Sequence, residues 1–329
     1  MSDRIVVTRR PPGRALANLE ATADVFVWAE DRSMPRAQLL AEVATADGLY
    51  CMLTDAIDAD LLDAAPRLRV ISTMAVGTDN IDLAACSQRG IPVGHTPDVL
   101  TETTADTAFG LVLVAARRFQ EGIDYVRGGH WTRWEPELLW GHDVHGSTLG
   151  VVGLGRIGEA VARRGAGFGM RILYTSRSRH PAAEADLGVV WAELPDLLAE
   201  ADHVVVSTPL SDETHHLIDR GALRRMKPTA TLVNISRGGT VDPVALYEAL
   251  RDGVIAAAGL DVTEPEPISP SDPLLTLPNC TVLPHLGSSS SATRIAMAEL
   301  AAANLLAGLA GEPMPARAVE PTTSRTRPK

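Results

Sequence analysis

The stretch LGVVGLGRIG, residues 149–158, decides the fold of the second half of this chain. An apolar strand, residues 149–152, runs into a glycine-rich turn, and residues 157–168 then read as a helix. In such a turn the first glycine allows the sharp bend, the second lets a pyrophosphate approach the backbone, and the third allows close helix–strand packing. The N-terminus of the helix adds N–H groups and a positive dipole end. The context predicts a dinucleotide-binding turn that consists of Gly153, Leu154, Gly155, Arg156, Ile157 and Gly158.

Short apolar runs alternate regularly with helical segments on both sides of this turn. After it, the pattern predicts strands at residues 149–152, 172–174, 203–207, 231–235, 256–260 and 281–283. Before residue 100 it predicts strands at 5–7, 25–27, 48–53 and 70–72, with helices at 35–43 and 59–65. Strands that alternate with helices at this spacing indicate parallel, doubly wound sheets. We therefore predict an α/β protein with two Rossmann- or flavodoxin-like domains and an active-site cleft between them.

Two long apolar helices mark the predicted domain boundaries. The first, residues 101–118, carries a capping-box pattern, Thr103 to Asp106, and is apolar on nearly every side. The second, residues 289–309, would return the chain to the first domain. The prediction is a discontinuous substrate-binding domain, residues 1–100 and 288–329, and a dinucleotide-binding domain, residues 101–287. The Pro-, Thr-, Ser- and Arg-rich tail from Arg317 onward is predicted to be disordered.

Composition excludes several classes of partner. The 329 residues are 45% hydrophobic and 22% charged, which is typical of a soluble globular protein. A net charge of −11 argues against nucleic acid or an anionic membrane as a partner. Three scattered cysteines, Cys51, Cys86 and Cys280, favour neither a disulfide framework nor a metal site. No signal-peptide pattern and no apolar run of membrane-spanning length are recognised, so we expect a cytoplasmic protein.

The end of the second strand after the turn bears on the choice of cofactor. An NAD site expects an acidic residue about 20 positions after the turn, but residues 160–183 contain no Asp or Glu. The chain instead places Thr175, Ser176, Arg177, Ser178 and Arg179 there. Hydroxyls and guanidiniums suit a 2′-phosphate, which favours NADPH and leaves NADH as the weaker cofactor. The alternative is that both arginines are ordinary surface residues, since the chain has 28 arginines and only two lysines.

Three polar residues follow three predicted strands of the same sheet. Arg237 comes after strand 231–235, Asp261 after strand 256–260 and His285 after strand 281–283. Because the carboxyl ends of parallel strands face the ligand crevice, we expect these side chains to converge near the nicotinamide. An arginine for a carboxylate and a histidine for a proton are what the reduction of a 2-keto acid needs. The pairs His142/His145 and His215/His216 read as loop and helix-surface residues, and no metal site is predicted.

At this point the chain resembles the D-isomer-specific 2-hydroxyacid dehydrogenases, and within them the glyoxylate/hydroxypyruvate reductases. The resemblance spans residues 70–310 without a gap and rests on ISTMAVGTD, HTPDVLT, GLGRIG, NISRG, GLDVT, PHLG and NLLAG, the last followed by GEPMP. It implies that Arg237 grips the substrate carboxylate and keto oxygen, that His285 is the general acid, and that Glu266 pairs with His285 and keeps it protonated and oriented. Glu264, on the same loop, is the alternative carboxylate. Formate dehydrogenases of this family carry Gln at the place of Glu266, which argues against that activity.

The resemblance also assigns contacts to substrate and cofactor. Val76 and Gly77 would bind the substrate carboxylate through backbone N–H groups. Trp134, or failing it Trp131, would reach the neighbouring subunit's substrate cleft in a homodimer. Further cofactor contacts would come from Ser176, Arg177, Arg179, Thr208, Pro209, Ile235, Ser236, Asp261, His285 and Gly287.

The implied activity is reduction of glyoxylate to glycolate and of hydroxypyruvate to D-glycerate by an NADPH-preferring homodimer. A D-3-phosphoglycerate or D-lactate dehydrogenase is an alternative, against which the missing acidic ribose ligand counts. A non-enzymatic dinucleotide sensor of the corepressor type is another, since such proteins share this fold and retain Arg, Glu and His.

Overall fold

A computed structural model describes residues 2–318 of the chain. Its contacts divide it into two units, one formed by residues up to Leu100 together with those from Ser290, the other by Thr101–Ser289. The division at residue 289 lies two positions after the predicted boundary at 287. The chain leaves the first unit at the start of one long helix and returns to it just ahead of another.

The first unit contains a five-stranded parallel sheet in the order β2-β1-β3-β4-β5, the order of flavodoxin-like folds. Its strands are β1 (Arg4–Val7), β2 (Asp24–Val27), β3 (Gly48–Cys51), β4 (Val70–Thr73) and β5 (Val93–Gly94). Its helices are α1 (Ala15–Glu20), α2 (Arg36–Val43), α3 (Ala59–Ala64), α4 (Leu83–Gln88) and α12 (Ser291–Ala310). Helices α2 to α4 pack on one face, whereas α1 and α12 cover the other. Strand β5 was not predicted, because two residues are too short for a recognisable pattern.

Helix α12 is long and apolar enough to cross a membrane by length and composition, with a mean hydropathy of 1.2. The expectation that no apolar run reaches that length was therefore wrong. The helix packs against β3 and β4, and the Tyr50 hydroxyl donates a hydrogen bond to the carbonyl of Ala298 at 3.2 Å. Its apolar character is explained by this burial, as for the core helix of a doubly wound domain.

The second unit contains a seven-stranded parallel sheet in the order β12-β11-β10-β9-β6-β7-β8. Its strands are β6 (Thr148–Val152), β7 (Arg171–Thr175), β8 (Val190–Trp191), β9 (His203–Val206), β10 (Thr231–Asn234), β11 (Ala257–Leu260) and β12 (Cys280–Val282). Counted along the chain, this is the dinucleotide-binding order 3-2-1-4-5-6 with a seventh strand added at one edge. The two predicted doubly wound sheets are thus present. The two-residue β8 was not predicted.

Helices cover both faces of this sheet because its strands are apolar on both. In β9, Val204 and Val206 face one core and Val205 faces the other, and all three are fully buried. The helices are α5 (Thr101–Ala116), α6 (Phe119–Arg127), α7 (Arg156–Gly167), α8 (Pro181–Leu187), α9 (Leu194–Glu200), α10 (Arg220–Leu223) and α11 (Pro243–Arg251). Helices α9 to α11 lie on one face, and α5, α7 and α8 on the other.

Two local predictions were wrong. The capping box does not begin a helix, because α5 starts at Thr101 and Thr103 lies inside it, where its carbonyl accepts a hydrogen bond from the Thr107 hydroxyl. The start of the tail is ordered, because Arg317 forms an antiparallel bridge with Gly94 and the Ala318 N–H donates to the Val93 carbonyl. The rest of the tail predicted to be disordered, residues 319–329, lies outside the described residues.

Candidate active site

The glycine-rich turn after β6 has the geometry that a phosphate site requires. Gly153 has a φ of +96°, a conformation that favours glycine, and a Cβ there would lie 2.8 Å from the backbone nitrogen of Thr208. A Cβ on Gly158 would lie 2.1 Å from the Gly153 carbonyl oxygen, so α7 packs tightly against the turn. Around Gly155, at the N-terminus of α7, a Cβ would meet no atom within 4 Å. The open side of the turn is thus the side on which a pyrophosphate can approach.

At the carboxyl end of β7 the two predicted phosphate ligands differ in their surroundings. Both side chains are exposed. Arg179 forms an ion pair with Glu184 at 2.6 Å, and the same carboxylate accepts a hydrogen bond from the Tyr174 hydroxyl at 2.6 Å. These contacts, the arginine's first, lower the pKa of Glu184. Glu184 lies one residue beyond the stretch 160–183 that lacks Asp and Glu, and helix α8 brings its carboxylate back to the strand end.

A buried asparagine shapes the turn that carries Arg237. Asn234, the last residue of β10, is 1% exposed, and its amide nitrogen donates to the Arg237 carbonyl at 2.9 Å. Its amide oxygen accepts hydrogen bonds from the N–H and the hydroxyl of Ser236. The Thr240 hydroxyl also donates to the Arg237 carbonyl at 2.8 Å, so two side chains hold the turn that carries Arg237. In the sequence, Asn234 was recognisable only as part of the NISRG motif.

Asp261 acts as a buried anchor for the loop that carries His285. Its carboxylate accepts hydrogen bonds from the N–H groups of Leu286 at 2.6 Å and Gly287 at 2.7 Å. Burial raises the pKa of Asp261, and those two N–H groups oppose the rise only in part. His285 has a φ of +56°, which is unusual for a residue with a side chain and is found at functional sites that the surrounding structure holds in place.

The geometry identifies which carboxylate meets the histidine. Nδ1 of His285 lies 2.6 Å from Oε1 of Glu266, and both side chains are half-buried. Burial works to raise the pKa of Glu266, but the hydrogen bond and charge of His285, with smaller contributions that include Arg237, outweigh it and lower the pKa. Glu266 is therefore ionised over the neutral range. Because Glu266 engages Nδ1, the other ring nitrogen, Nε2, is the one that can deliver a proton.

Glu264 faces a different pair of histidines. Its Oε2 lies 2.8 Å from Nε2 of His216, and its Oε1 lies 3.6 Å from Nε2 of His215. The two imidazoles stack with their centroids 3.9 Å apart. These histidines lie on the turn after β9, and the prediction that they occupy a helix surface was wrong. Among the described residues, His215, His216 and Glu264 are the one group of three or more possible metal ligands whose donor atoms all lie within 4.8 Å of one another.

The remaining predicted site residues fall into three places. The backbone of Thr208 borders the glycine turn, and Ile235 and Ser236 lie directly after β10. Val76 and Gly77 belong to the first unit, after β4, where the Val76 carbonyl lies 3.0 Å from Nδ1 of His95. Trp134 is 78% exposed on the loop after α6.

Comparison with known proteins agrees with this geometry. The sequence profile described as the NAD-binding domain of the D-isomer-specific 2-hydroxyacid dehydrogenases matches residues 109–287. The chain is also 49% identical to a glyoxylate reductase of Korarchaeum cryptofilum over 329 residues, covering 100% of this chain and 99% of that protein. The chain belongs to the D-isomer-specific 2-hydroxyacid dehydrogenase family.

Two further relatives of this dehydrogenase extend the comparison. The human glyoxylate reductase/hydroxypyruvate reductase is 48% identical over 316 residues, covering 95% of this chain and 96% of that protein. The crystal structure of an NADPH-dependent glyoxylate/hydroxypyruvate reductase from Sinorhizobium meliloti, in complex with NADP and malonate, has a TM-score of 0.86 at 34% identity and covers 97% of each chain. The predicted family is confirmed, and this dehydrogenase uses a nicotinamide dinucleotide.

Proposed function

We propose that the protein reduces glyoxylate to glycolate and hydroxypyruvate to D-glycerate, with NADPH as the preferred reductant. The observation that carries the proposal is the 2.6 Å pair of His285 and Glu266, placed with Arg237 at the carboxyl edge of a dinucleotide-binding sheet. Relatives named as glyoxylate reductases at nearly half identity support the choice of substrate. No contact among residues 2–318 favours the alternatives, a phosphoglycerate or lactate dehydrogenase or a sensor. The cytoplasmic location and the lack of nucleic-acid or membrane partners remain predictions from composition.

Arg237, His285 and Glu266 have different tasks in this reaction. The guanidinium of Arg237 orients the substrate carboxylate and polarises the keto oxygen, a task suited to its planar fork of donors. The reduced nicotinamide supplies a hydride, which the carbonyl carbon accepts. As the carbonyl bond opens, the oxygen takes a proton from His285, which becomes neutral beside Glu266 and regains a proton from solvent. Val76 and Gly77 remain predicted to bind the carboxylate through backbone N–H groups.

A panel of 2-keto acids tests the proposed function. NADPH oxidation is followed by absorbance with glyoxylate, hydroxypyruvate, pyruvate and 3-phosphohydroxypyruvate, and the chirality of the glycerate formed is determined. We expect glyoxylate and hydroxypyruvate to have the highest kcat/KM and the glycerate to be the D isomer. Higher kcat/KM for pyruvate or the phosphorylated acid would instead identify one of the alternative dehydrogenases, and NADPH binding without oxidation would favour the sensor.

Replacement of Glu266 by Gln tests the role of its charge. Gln retains a hydrogen bond to His285 but not the negative charge that stabilises the imidazolium. Because the charges of Glu266 and His285 stabilise each other, loss of the carboxylate charge should move the basic limb of the kcat/KM profile to lower pH. Glu264→Gln is the control and leaves the profile in place. An unchanged profile in Glu266→Gln, with a shift in the control, would assign the role to Glu264.

We further propose that the protein is a homodimer that pairs through α6 and the loop that follows it. Helix α6 has no buried residue, and Phe119, Ile123 and Val126 form an exposed stripe along one face. With Leu139 they line an apolar groove of about 540 Å³. An apolar surface of this kind on a soluble protein marks an interaction site.

Trp134 is predicted to limit substrate size from across that dimer interface, with Trp131 as second choice. Trp134→Ala should keep the dimeric mass in light scattering and raise kcat/KM for keto acids bulkier than glyoxylate severalfold relative to glyoxylate. Trp140→Ala is a matched control, because Trp140 is similarly exposed on the same loop and its Nε1 donates to the Pro136 carbonyl. A dimeric Trp134→Ala protein with unaltered preference would make Trp134 an ordinary interface aromatic.

A further inference from the structure

The turn after β9 is tied by its backbone to the turn that carries Arg237. The N–H of His216 donates to the Gly239 carbonyl at 2.7 Å, and the N–H of Ile218 donates to the Thr240 carbonyl at 3.1 Å. A parallel bridge joins Ile218 to Val241. The position of His216 is therefore fixed relative to the Arg237 turn by hydrogen bonds that do not involve its side chain.

The same turn reaches the loop of Glu266 through side chains. Nε2 of His216 lies 2.8 Å from Oε2 of Glu264, and His215 stacks on the His216 ring. His216 has a φ of +49°, an unfavourable conformation for a residue with a side chain. Its backbone thus adopts a strained conformation in which the imidazole meets the carboxylate of Glu264.

The Arg237 turn and the Glu266 loop also touch directly. A Cβ on Gly238 would lie 1.9 Å from the carbonyl oxygen of Thr263, and one on Gly239 would lie 3.3 Å from Oε1 of Glu264. Three segments therefore meet around Glu264, and only one residue, Pro265, separates Glu264 from Glu266, which bonds His285. A loop fixed at Glu264 has little freedom left at Glu266.

We propose that the His216–Glu264 pair, flanked by His215, is a positioning device that holds Glu266 against His285. The proposal rests on the proposed function, because it assigns these residues an effect on the same proton donor. The pair does not touch the reacting atoms, so it acts only through the geometry of Glu266. A small displacement of a group that orients a proton donor is sufficient to slow catalysis by about 10- to 100-fold.

The test uses Glu264→Ala and His216→Asn in the full-length enzyme, since Asn tolerates positive φ and retains the backbone bonds. Both should lower kcat on glyoxylate by roughly tenfold or more, with the KM for NADPH unchanged. Both should also move the basic limb of the kcat/KM profile toward that of Glu266→Gln. Glu264→Gln, which can still bond His216, should keep wild-type behaviour. Glu213→Ala is the matched control, because Glu213 lies on the same turn and bonds Ser211.

A double variant that combines Glu264→Ala with Glu266→Gln distinguishes a positioning role of Glu264 from a simple loss of stability. If Glu264 acts through Glu266, adding Glu264→Ala to the Glu266→Gln protein causes no further fall in kcat. Losses of kcat that multiply in the double variant would overturn the proposal. Wild-type kcat and pH profile in both Glu264→Ala and His216→Asn would overturn it as well. These outcomes leave the proposed function standing as long as the wild type reduces glyoxylate.

A measurement without turnover keeps the proposal testable if the wild type proves inactive. The imidazole resonances of His285 are followed by NMR during a pH titration of the wild type, Glu264→Ala, Glu264→Gln and Glu266→Gln. The titration curve in Glu264→Ala should move toward that in Glu266→Gln, and the curve in Glu264→Gln should coincide with the wild type. Coincidence of Glu264→Ala with the wild type would contradict the proposal.

Discussion

Replacement of His285 by Asn lowers kcat on glyoxylate by about 10²–10⁴-fold, the range for loss of a positioned general acid. Asn can occupy the same space and accept the positive φ of +56° at this position, so the loop anchored by Asp261 is retained. It cannot deliver a proton as the alkoxide forms. Steady-state rates with saturating NADPH measure the effect.

His145→Asn is the matched control for this substitution. His145 is exposed on the loop before β6, away from the strand ends that carry Arg237 and His285, and its replacement should leave kcat unchanged. A His285→Asn enzyme that retains more than about a tenth of wild-type kcat would exclude His285 as the proton donor. Arg237 and Glu266 would then need other roles.

Replacement of Arg177 by Ala removes most of the preference for NADPH. In the proposed NADPH site, a charge-assisted hydrogen bond from Arg177 to the 2′-phosphate would contribute about 1.5–3 kcal/mol, or roughly 10- to 150-fold in affinity. We therefore expect kcat/KM for NADPH to exceed that for NADH by at least about tenfold. Arg177→Ala should weaken NADPH by a similar factor and leave NADH nearly unaffected.

Arg177 and Arg179 are expected to contribute unequally to the proposed preference for NADPH. Both arginines are exposed, but Arg179 is already paired with Glu184, so Arg177→Ala should have the larger effect. Arg171→Ala is the control, because Arg171 lies at the opposite end of β7, paired with Glu200. Equal use of NADPH and NADH by the wild type would make both arginines surface residues.

The parts of the fold that the sequence predicted are those with local patterns. Strand β6, the glycine turn and helix α7 are contiguous in sequence. The conformation of each residue there depends on near neighbours, so the pattern can be recognised locally. The expected convergence of Arg237, Asp261 and His285 came from a general property of parallel sheets, whose carboxyl ends share one edge. The two-residue strands β5 and β8 carry too little pattern to be recognised, because distant strands determine their pairing.

The missed site residues depend on contacts that are remote in sequence. The anchoring role of Asp261 was missed because its carboxylate bonds the N–H groups of residues that follow it by about two dozen positions. The role of Glu184 depends on how α8 folds back on β7, and that of His216 on a loop 48 residues away. Choice of Glu266 over Glu264 came from the resemblance, since both carboxylates look alike in the sequence. The structure supplies a physical reason for this choice, because Glu266 bonds His285 whereas Glu264 bonds His216.

A single-turnover comparison tests most directly whether the His285–Glu266 pair performs the reduction. Wild-type and His285→Asn proteins are loaded with NADPH, nucleotide binding is measured by fluorescence, and glyoxylate is then added while NADPH oxidation is recorded. Equal affinities for NADPH, with oxidation about 10²–10⁴-fold slower in the variant, are the predicted result. Equal rates of oxidation in the two NADPH-loaded proteins would contradict it.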